Sequence, residues 1–294
     1  MRIDQALRSA TKVLTGYSDS PRLDSEILLS HLLNKPRSYL YAWPEVELDS
    51  SLLEAFNAAV ELRKTEYPIA YITGYQEFWS LQIGVTENVL IPRADTELLV
   101  ETSLAKLQEV DTPSILELGT GSGAIALALA SERPDAKVLA VDNSCSALDV
   151  AKHNQQSLHI HNVQFMLSNW YESLPRARYD LIVSNPPYID PADKHMTTGI
   201  RFEPRQALCA DHQGLADLVY IIHHAQNYLK PDGWILLEHG FDQGSLVTKQ
   251  LQQAGFQHAH CLKDLAGNDR ISLAKHMPTQ SIPTLSSRRS NRPV

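Results

Sequence analysis

The sequence predicts an α/β protein: a mostly parallel sheet with helices on both faces, preceded by a small helical bundle and joined to it by a β-hairpin. Three observations predict it. From residue 114 onward, short β-branched runs alternate with helical runs, the signature of parallel strands linked by crossover helices. Residues 1–75 show apolar residues at three-to-four spacing instead. Residues 76–92 alternate with a period of two.

In the first segment, "PRLDSEILLSHLL" places Leu23, Ile27, Leu28 and Leu32 on one helical stripe, with Pro21 and Asp24 suited to its start. "SSLLEAFNAAVELRKT" (50–65) does the same with Leu52, Phe56, Ala59 and Val60, and Pro68 and Gly74 punctuate its end. This 1–75 unit carries no catalytic set and reads as a substrate-recognition bundle or a structural cap. The 76–92 stretch is expected to turn near Glu87-Asn88 and to link the two domains. Strands are then expected at 114–119, 137–142, 163–168, 179–185 and 233–240. Helices are expected at 123–131, 146–157, 215–229 and 244–254. The last two runs, flanking "LAGND", read as an antiparallel hairpin. The alternating domain therefore spans 93–276, and 277–294 is expected to be a flexible tail: from His276 on there is no Asp or Glu, and Ser, Pro and Thr accompany Arg288, Arg289 and Arg292.

Composition narrows the function. With 43% apolar and 20% charged residues the chain is globular. A net charge of −8 argues against gripping many phosphates, so direct nucleic-acid binding is not expected. Cys145, Cys209 and Cys261 lie far apart, without a C-x-x-C pair, and the His159/His161 and His258/His260 pairs lack a ligand set around them. No metal is expected. The N-terminus lacks an apolar signal core and the longest apolar run, "AIALALA" (124–130), is too short for a membrane span. A cytoplasmic protein without membrane contacts is expected, with a monomer favoured.

Chemistry concentrates at expected strand ends, where such sheets bind ligands. "ELGTGSG" runs from strand through loop to helix. Gly119, Gly121 and Gly123 permit a tight turn and close backbone approach, as in a dinucleotide loop, a methyl-donor loop or a plain strand–helix turn. Asp142 ends the next strand, where a carboxylate can accept both hydroxyls of a ribose or else cap a helix. Together they indicate a ribose-bearing cofactor.

"SNPPY" (184–188) comes directly after the apolar run "YDLIV". Two prolines remove two backbone donors and stiffen the loop. What remains is an acceptor-rich cradle suited to a planar nitrogen such as an amide or aromatic amine. The Asn185 amide oxygen accepts one N–H, a proline-loop carbonyl accepts the other, and Tyr188 lies against the flat group. The nitrogen is thereby aimed at an electrophilic methyl.

With these motifs in chain order, the sequence resembles the seven-strand, Rossmann-like S-adenosylmethionine-dependent methyltransferases that act on nitrogen. "IPRADTELLV" (91–100), "VSNPPYI" (183–189), "RFEPRQAL" (201–208) and "LLEHG" (236–240) narrow the resemblance to the release-factor glutamine methyltransferase family, often called HemK or PrmC. The likeness runs from the N-terminus to about residue 276. It implies N5-methylation of the glutamine in the Gly-Gly-Gln loop of class-1 peptide chain release factors. It also implies that Gly119, Thr120, Gly121, Ser122 and Gly123 hold the methyl donor, Asp142 its ribose, and Asn169-Trp170 its adenine. Asn185, Pro186, Pro187 and Tyr188 would grip the glutamine, with Asn185, Pro186 and Tyr188 catalytic and Asn185 also touching the donor. Two departures stand out: Glu117 replaces a usual Asp, and Asn169 replaces a usual Asp, which costs charge assistance at the adenine.

Several residues have two readings. Within "PRADTE", Asp95 suits a helix cap, with Thr96 and Glu97 in the first turn, while Arg93 and Glu97 could lie near the substrate. Arg201 and Glu203 could order a flap or pair with each other. Glu238 reads as a satisfied structural acid. An amino methyltransferase acting on adenine or guanine in nucleic acid fits the Asn-Pro-Pro-Tyr chemistry equally well. A non-catalytic S-adenosylmethionine sensor and an NAD oxidoreductase explain less of it.

Overall fold

The computed structural model describes residues 1–277 except Thr198. The N-terminal unit is helical: Ile3–Leu14, Pro21–Leu33, Arg37–Ala42, Ser50–Lys64 and Ile69–Thr73. Helix Ile3–Leu14 buries Ile3, Ala6, Leu7, Ala10 and Leu14, one face at helical spacing, against Leu28, Leu29, Phe56 and Val60. Asp49 caps helix Ser50–Lys64 by accepting from Leu52 N at 2.8 Å. The stripe expected on Pro21–Leu33 is rotated. Leu23 is exposed, and Asp24, Ser25, Glu26, Leu28 and Leu29 face inward. The acids are tolerated there because each is paired: Asp24 with Arg63 at 2.7 Å, and Glu26 with Arg22, Arg37 and the Tyr41 phenol.

The hairpin is shorter and turns earlier than the sequence suggests. Strands β1 (Tyr75–Phe78) and β2 (Leu81–Gly84) turn at Trp79-Ser80, not at Glu87-Asn88. Trp79 and Ser80 both have positive φ, 53° and 59°, the backbone of a tight primed turn normally supplied by Asn or Gly. Side-chain anchors hold Trp79 in this conformation: its backbone N–H donates to Glu97 at 2.8 Å and its indole N–H to Glu132 at 2.9 Å. Phe78 and Ile83 join the core of the large domain, so the hairpin packs with that domain.

Asn154 completes the attachment. It accepts from Gly84 N at 2.8 Å and donates to the carbonyls of Gly84 and Ser122, both at 2.9 Å, lacing the hairpin to the glycine loop. Asn154→Ala leaves three backbone groups unpaired in a buried place and is expected to cost about 1–3 kcal/mol in denaturant-induced unfolding.

The large domain holds a seven-stranded sheet of β3 (Ser114–Leu118), β4 (Lys137–Asp142), β5 (Val163–Leu167), β6 (Tyr179–Ser184), β7 (Leu229–Glu238), β8 (Gln257–Lys263) and β9 (Asp269–Lys275). Its order is β5-β4-β3-β6-β7-β9-β8. The first five pair in parallel; β9 runs antiparallel to β7 and to β8. Alternation along each strand divides the core in two. Ile115, Val138, Leu181 and Leu236 face helices Glu97–Lys106 and Ala124–Glu132. Leu116, Leu139, Ile182 and Leu237 face helices Ala216–Ala225 and Gly244–Gln253. Strand β7 begins four residues before the expected 233: Leu229 pairs with Tyr179, and a register shift between Tyr179 and Leu181 absorbs Pro231-Asp232. Among the described residues no helix is long and apolar enough to cross a membrane. The expected tail lies outside the described residues except for Met277.

Candidate active site

Strand order reverses between β3 and β6, and a cleft partly open to solvent lies beyond the carboxyl ends of β3, β4, β5 and β6. Gly119, Thr120, Gly121, Ser122, Asp142, Asn169, Trp170, Asn185 and Pro187 line it. Gly119, Gly121 and Gly123 all have positive φ, which lets the chain leave β3 and enter helix Ala124–Glu132 in one tight loop. A Cβ on Gly121 would point into open space. One on Gly123 would press on Phe165, Ala151 and Leu127 at 3.1–3.2 Å. The structure therefore places Gly123 behind the loop, in helix–sheet packing, and not among the lining residues. Trp170, at φ 48°, lays its ring against Gly119.

Glu117, Asp142 and Asp217 bring carboxyl groups to this cleft; burial raises the Asp217 pKa and the Trp170 side chain opposes the rise. Asp142 accepts from Gly121 N at 2.8 Å and Ser144 N at 2.9 Å, one bond to each oxygen. Burial raises its pKa, and those backbone N–H groups oppose the rise. The cap of helix Cys145–Ser157 is Ser144, whose hydroxyl accepts from Ala147 N at 3.2 Å. Glu117, 1% exposed, accepts from the Thr120 hydroxyl at 2.7 Å through Oε2; among the described residues Oε1 makes no hydrogen bond of good geometry, although the Ala126 N–H lies close enough to hold the carboxyl's pKa down. Burial pushes its carboxyl up to about 7. Asn169 donates its side-chain N–H to Glu172 at 2.8 Å.

A smaller pocket adjoins the cleft. Pro186, Tyr188, Ile189, Ile200 and Leu208 line it, while Leu90, Arg93, Asn185 and Ala207 belong to both spaces. Asn185 is thus part of the shared wall. The Ser184 hydroxyl donates to Leu118 O at 2.7 Å, which fixes the end of β6 beside the end of β3. Asn185 Nδ2 donates to Thr96 Oγ1 at 3.3 Å. Thr96 is the member of "PRADTE" that touches the loop. Asp95 caps nothing and pairs with Arg270 at 3.3 Å, and Glu97 anchors the hairpin turn.

Arg201 and Glu203 do not pair with each other. Arg201 reaches Glu66 Oε2 and Thr65 O, both at 2.8 Å, and Phe202 meets the Tyr67 ring edge-on, so this segment clasps the end of the helical unit. Buried Glu203 pairs with Arg93 and accepts from Ile91 N at 3.0 Å. It thereby holds the 85–93 loop, which supplies Leu90 and Arg93 to both pockets. Sequence reasoning placed Thr96 only in the first turn of a helix and gave Gln206 and Ala207 no role; their only signal is membership of "PRADTE" and "RFEPRQAL". Glu203→Ala is expected to cost about 1–2 kcal/mol in thermal unfolding, because a backbone N–H loses its buried partner while Arg93 stays half-exposed and solvated.

Residues 94–255 match the family described as Methyltransferase small domain, and residues 5–74 match the PrmC N-terminal domain. Relatives named release factor glutamine methyltransferase cover nearly the whole length. That of Aliivibrio fischeri is 46% identical over 94% of this chain and 98% of its own. That of Shewanella oneidensis is 46% identical over 94% and 96%. That of Pseudomonas aeruginosa is 48% identical over 88% and 94%. The chain belongs to the release factor glutamine methyltransferase family.

Proposed function

We propose that the protein methylates the side-chain nitrogen of the glutamine in the Gly-Gly-Gln loop of class-1 peptide chain release factors, with S-adenosylmethionine as donor. The observation that carries this reading is Asn185 in the wall shared by the strand-end cleft, lined by the glycine loop and Asp142, and the smaller pocket lined by Pro186 and Tyr188.

The larger cleft suits the donor. Open space above Gly121 admits a ligand close to the backbone of the 119–123 loop. Asp142 retains lone pairs on both oxygens for ribose hydroxyls. Trp170 offers a ring face to the adenine, and Asn169, its N–H already given to Glu172, offers Oδ1 to the adenine amino group. Thr120 and Ser122 line the same wall. Oε1 of Glu117, without a well-aligned hydrogen bond among the described residues, suits the donor's α-ammonium. When bound, the donor supplies an electrophilic sulfonium methyl.

In the smaller pocket, Thr96 engages the Asn185 N–H and leaves Oδ1 as acceptor for one N–H of the substrate amide. Pro186 and Pro187 keep the loop free of competing donors, and Tyr188 bounds the pocket. Burial, then the neighbouring Glu238, raises the Tyr188 pKa well above the phenol range, so it stays a neutral wall. The residues orient a weak nucleophile: the amide nitrogen forms its bond to carbon as the carbon–sulfur bond breaks, and the nitrogen then sheds a proton to water. A release factor works where translation does, which supports a cytoplasmic enzyme.

Calorimetric titration with S-adenosylhomocysteine and with NAD tests the first half of this reading. Binding of the former alone is expected; binding of NAD alone would overturn the donor assignment. Methyl transfer to nucleic acid, with none to a release factor, would transfer the smaller pocket to an exocyclic base amine.

A further inference from the structure

Glu238, the last residue of β7, is 1% exposed and lies behind the Asn-Pro-Pro-Tyr loop. Its Oε1 accepts from the Tyr188 phenol at 3.3 Å; among the described residues its Oε2 makes no hydrogen bond of good geometry, although the Thr96 hydroxyl lies close enough to hold the carboxyl's pKa down. A carboxyl sealed in a core costs desolvation that an apolar residue of similar size avoids. A purely structural part therefore explains it poorly. Thr96, whose hydroxyl neighbours the same carboxyl, accepts from Asn185 Nδ2 at 3.3 Å. With its oxygen occupied as acceptor, Thr96 needs an acceptor for its own proton. A carboxylate is the group that can take a proton from both hydroxyls at once. Glu238 thus stands at the branch point of two short chains, one ending at Tyr188 and the other, through Thr96, at Asn185. The backbone of Tyr188 is fixed independently: Gln243 Nε2 donates to its carbonyl at 3.0 Å.

We propose that Glu238 is a positioning residue for methyl transfer, its carboxylate orienting the Tyr188 phenol directly and the Asn185 amide through Thr96. The inference rests on the smaller pocket being the site of the substrate amide. The charged and titratable groups around it are Arg270 on β9, Asp95 in the turn before helix Glu97–Lys106, Tyr188, and Arg93, whose charge acts on Tyr188 from the 85–93 loop. Burial pushes the Glu238 carboxyl up to about 7; Thr96, Arg270 and Tyr188 hold it down, and Asp95 adds to the rise. Ionised, it can accept from both hydroxyls. Protonated, it carries a donor of its own and accepts more weakly, so the two hydroxyls are held less firmly.

The test compares wild type and Glu238→Gln, using the full chain with methyl donor and release factor. In wild type, kcat at saturating donor is expected to rise as pH passes about 7. The amide variant keeps one acceptor oxygen and puts an NH2 donor where the second stood. Its kcat is expected to fall about 10²-fold, as for a small misplacement of a reacting group. Its pH rise should vanish, with S-adenosylhomocysteine affinity and thermal midpoint no lower than in wild type. Added to Thr96→Val/Tyr188→Phe, the same change is expected to alter kcat by no more than about twofold, because its route of action is already cut. A kcat for Glu238→Gln within about twofold of wild type, or full additivity with the double variant, overturns the inference. So does a flat wild-type profile, which needs no variant. A wild type that binds the donor yet transfers nothing to the factor overturns the proposed function itself, and this inference with it.

Discussion

Asn185→Ala is expected to bind S-adenosylhomocysteine as well as wild type and to lose about 2–4 kcal/mol of transition-state stabilisation, seen as a fall in kcat. The two outcomes separate because different strands carry the two tasks. On the proposed reading, donor contacts come from the loop after β3, from Asp142 at the end of β4 and from Asn169-Trp170 after β5. Asn185 directly follows β6 and would supply the acceptor between the two spaces. An amide nitrogen has a delocalised lone pair and attacks poorly without an acceptor drawing on its N–H. Alanine removes that acceptor and also the anchor on Thr96, so both charge stabilisation and alignment are lost. Steady-state kinetics with saturating donor, paired with calorimetry, checks both halves. Turnover near wild type would refute the role.

The second large effect belongs to Glu117. Glu117→Gln is expected to weaken donor and S-adenosylhomocysteine binding by about 2 kcal/mol or more, roughly 30-fold, because one partner of a buried charge-assisted pair is lost. Without ligand the same change is expected to stabilise the protein at neutral pH. The sign comes from linkage. The folded pKa, about 7, lies above the ordinary 4.5 of an exposed glutamate. The stability that proton uptake contributes is present in full below about 4.5 and is lost as pH rises through about 7. Glu238 contributes a loss of the same sign over the same window, so the Glu117→Gln variant should retain part of this dependence. In wild type, ligand affinity should weaken as pH falls through about 7, since the carboxyl must ionise to meet an ammonium; in Glu117→Gln that limb should flatten. Thermal melts and calorimetry across this range read both effects. A variant that binds as tightly as wild type would show that Oε1 meets no cation.

Much of this arrangement is legible in the chain. The β-branched runs and their helical spacers dictate a parallel sheet, and the motifs at strand ends converge because strand ends converge. Thus "ELGTGSG", Asp142, Asn169-Trp170 and Asn185 meet around one cleft. What resisted reading depends on contacts between distant segments. A tight turn at Trp79-Ser80 has no Gly or Asn to announce it; it is held by Glu97 and Glu132, 18 and 53 residues away. Asp24 and Glu26 face inward only because Arg63, Arg22 and Arg37 come to meet them. Glu203 finds Arg93 110 residues away while Arg201, two positions earlier, turns to Glu66. Thr96 passes for a first-turn helix residue until β6 is brought beside it. Period and punctuation are local properties of a sequence; ion pairs and hydrogen-bonded positioning chains are not.

The most direct measurement of the central claim is to incubate the purified protein with isotopically labelled S-adenosylmethionine and a class-1 release factor, then locate the label by fragmentation mass spectrometry. One methyl is expected on the side-chain nitrogen of the Gly-Gly-Gln glutamine, and none on a factor whose loop glutamine is replaced. Label on another residue, or equal incorporation into the replaced factor, would contradict the claim.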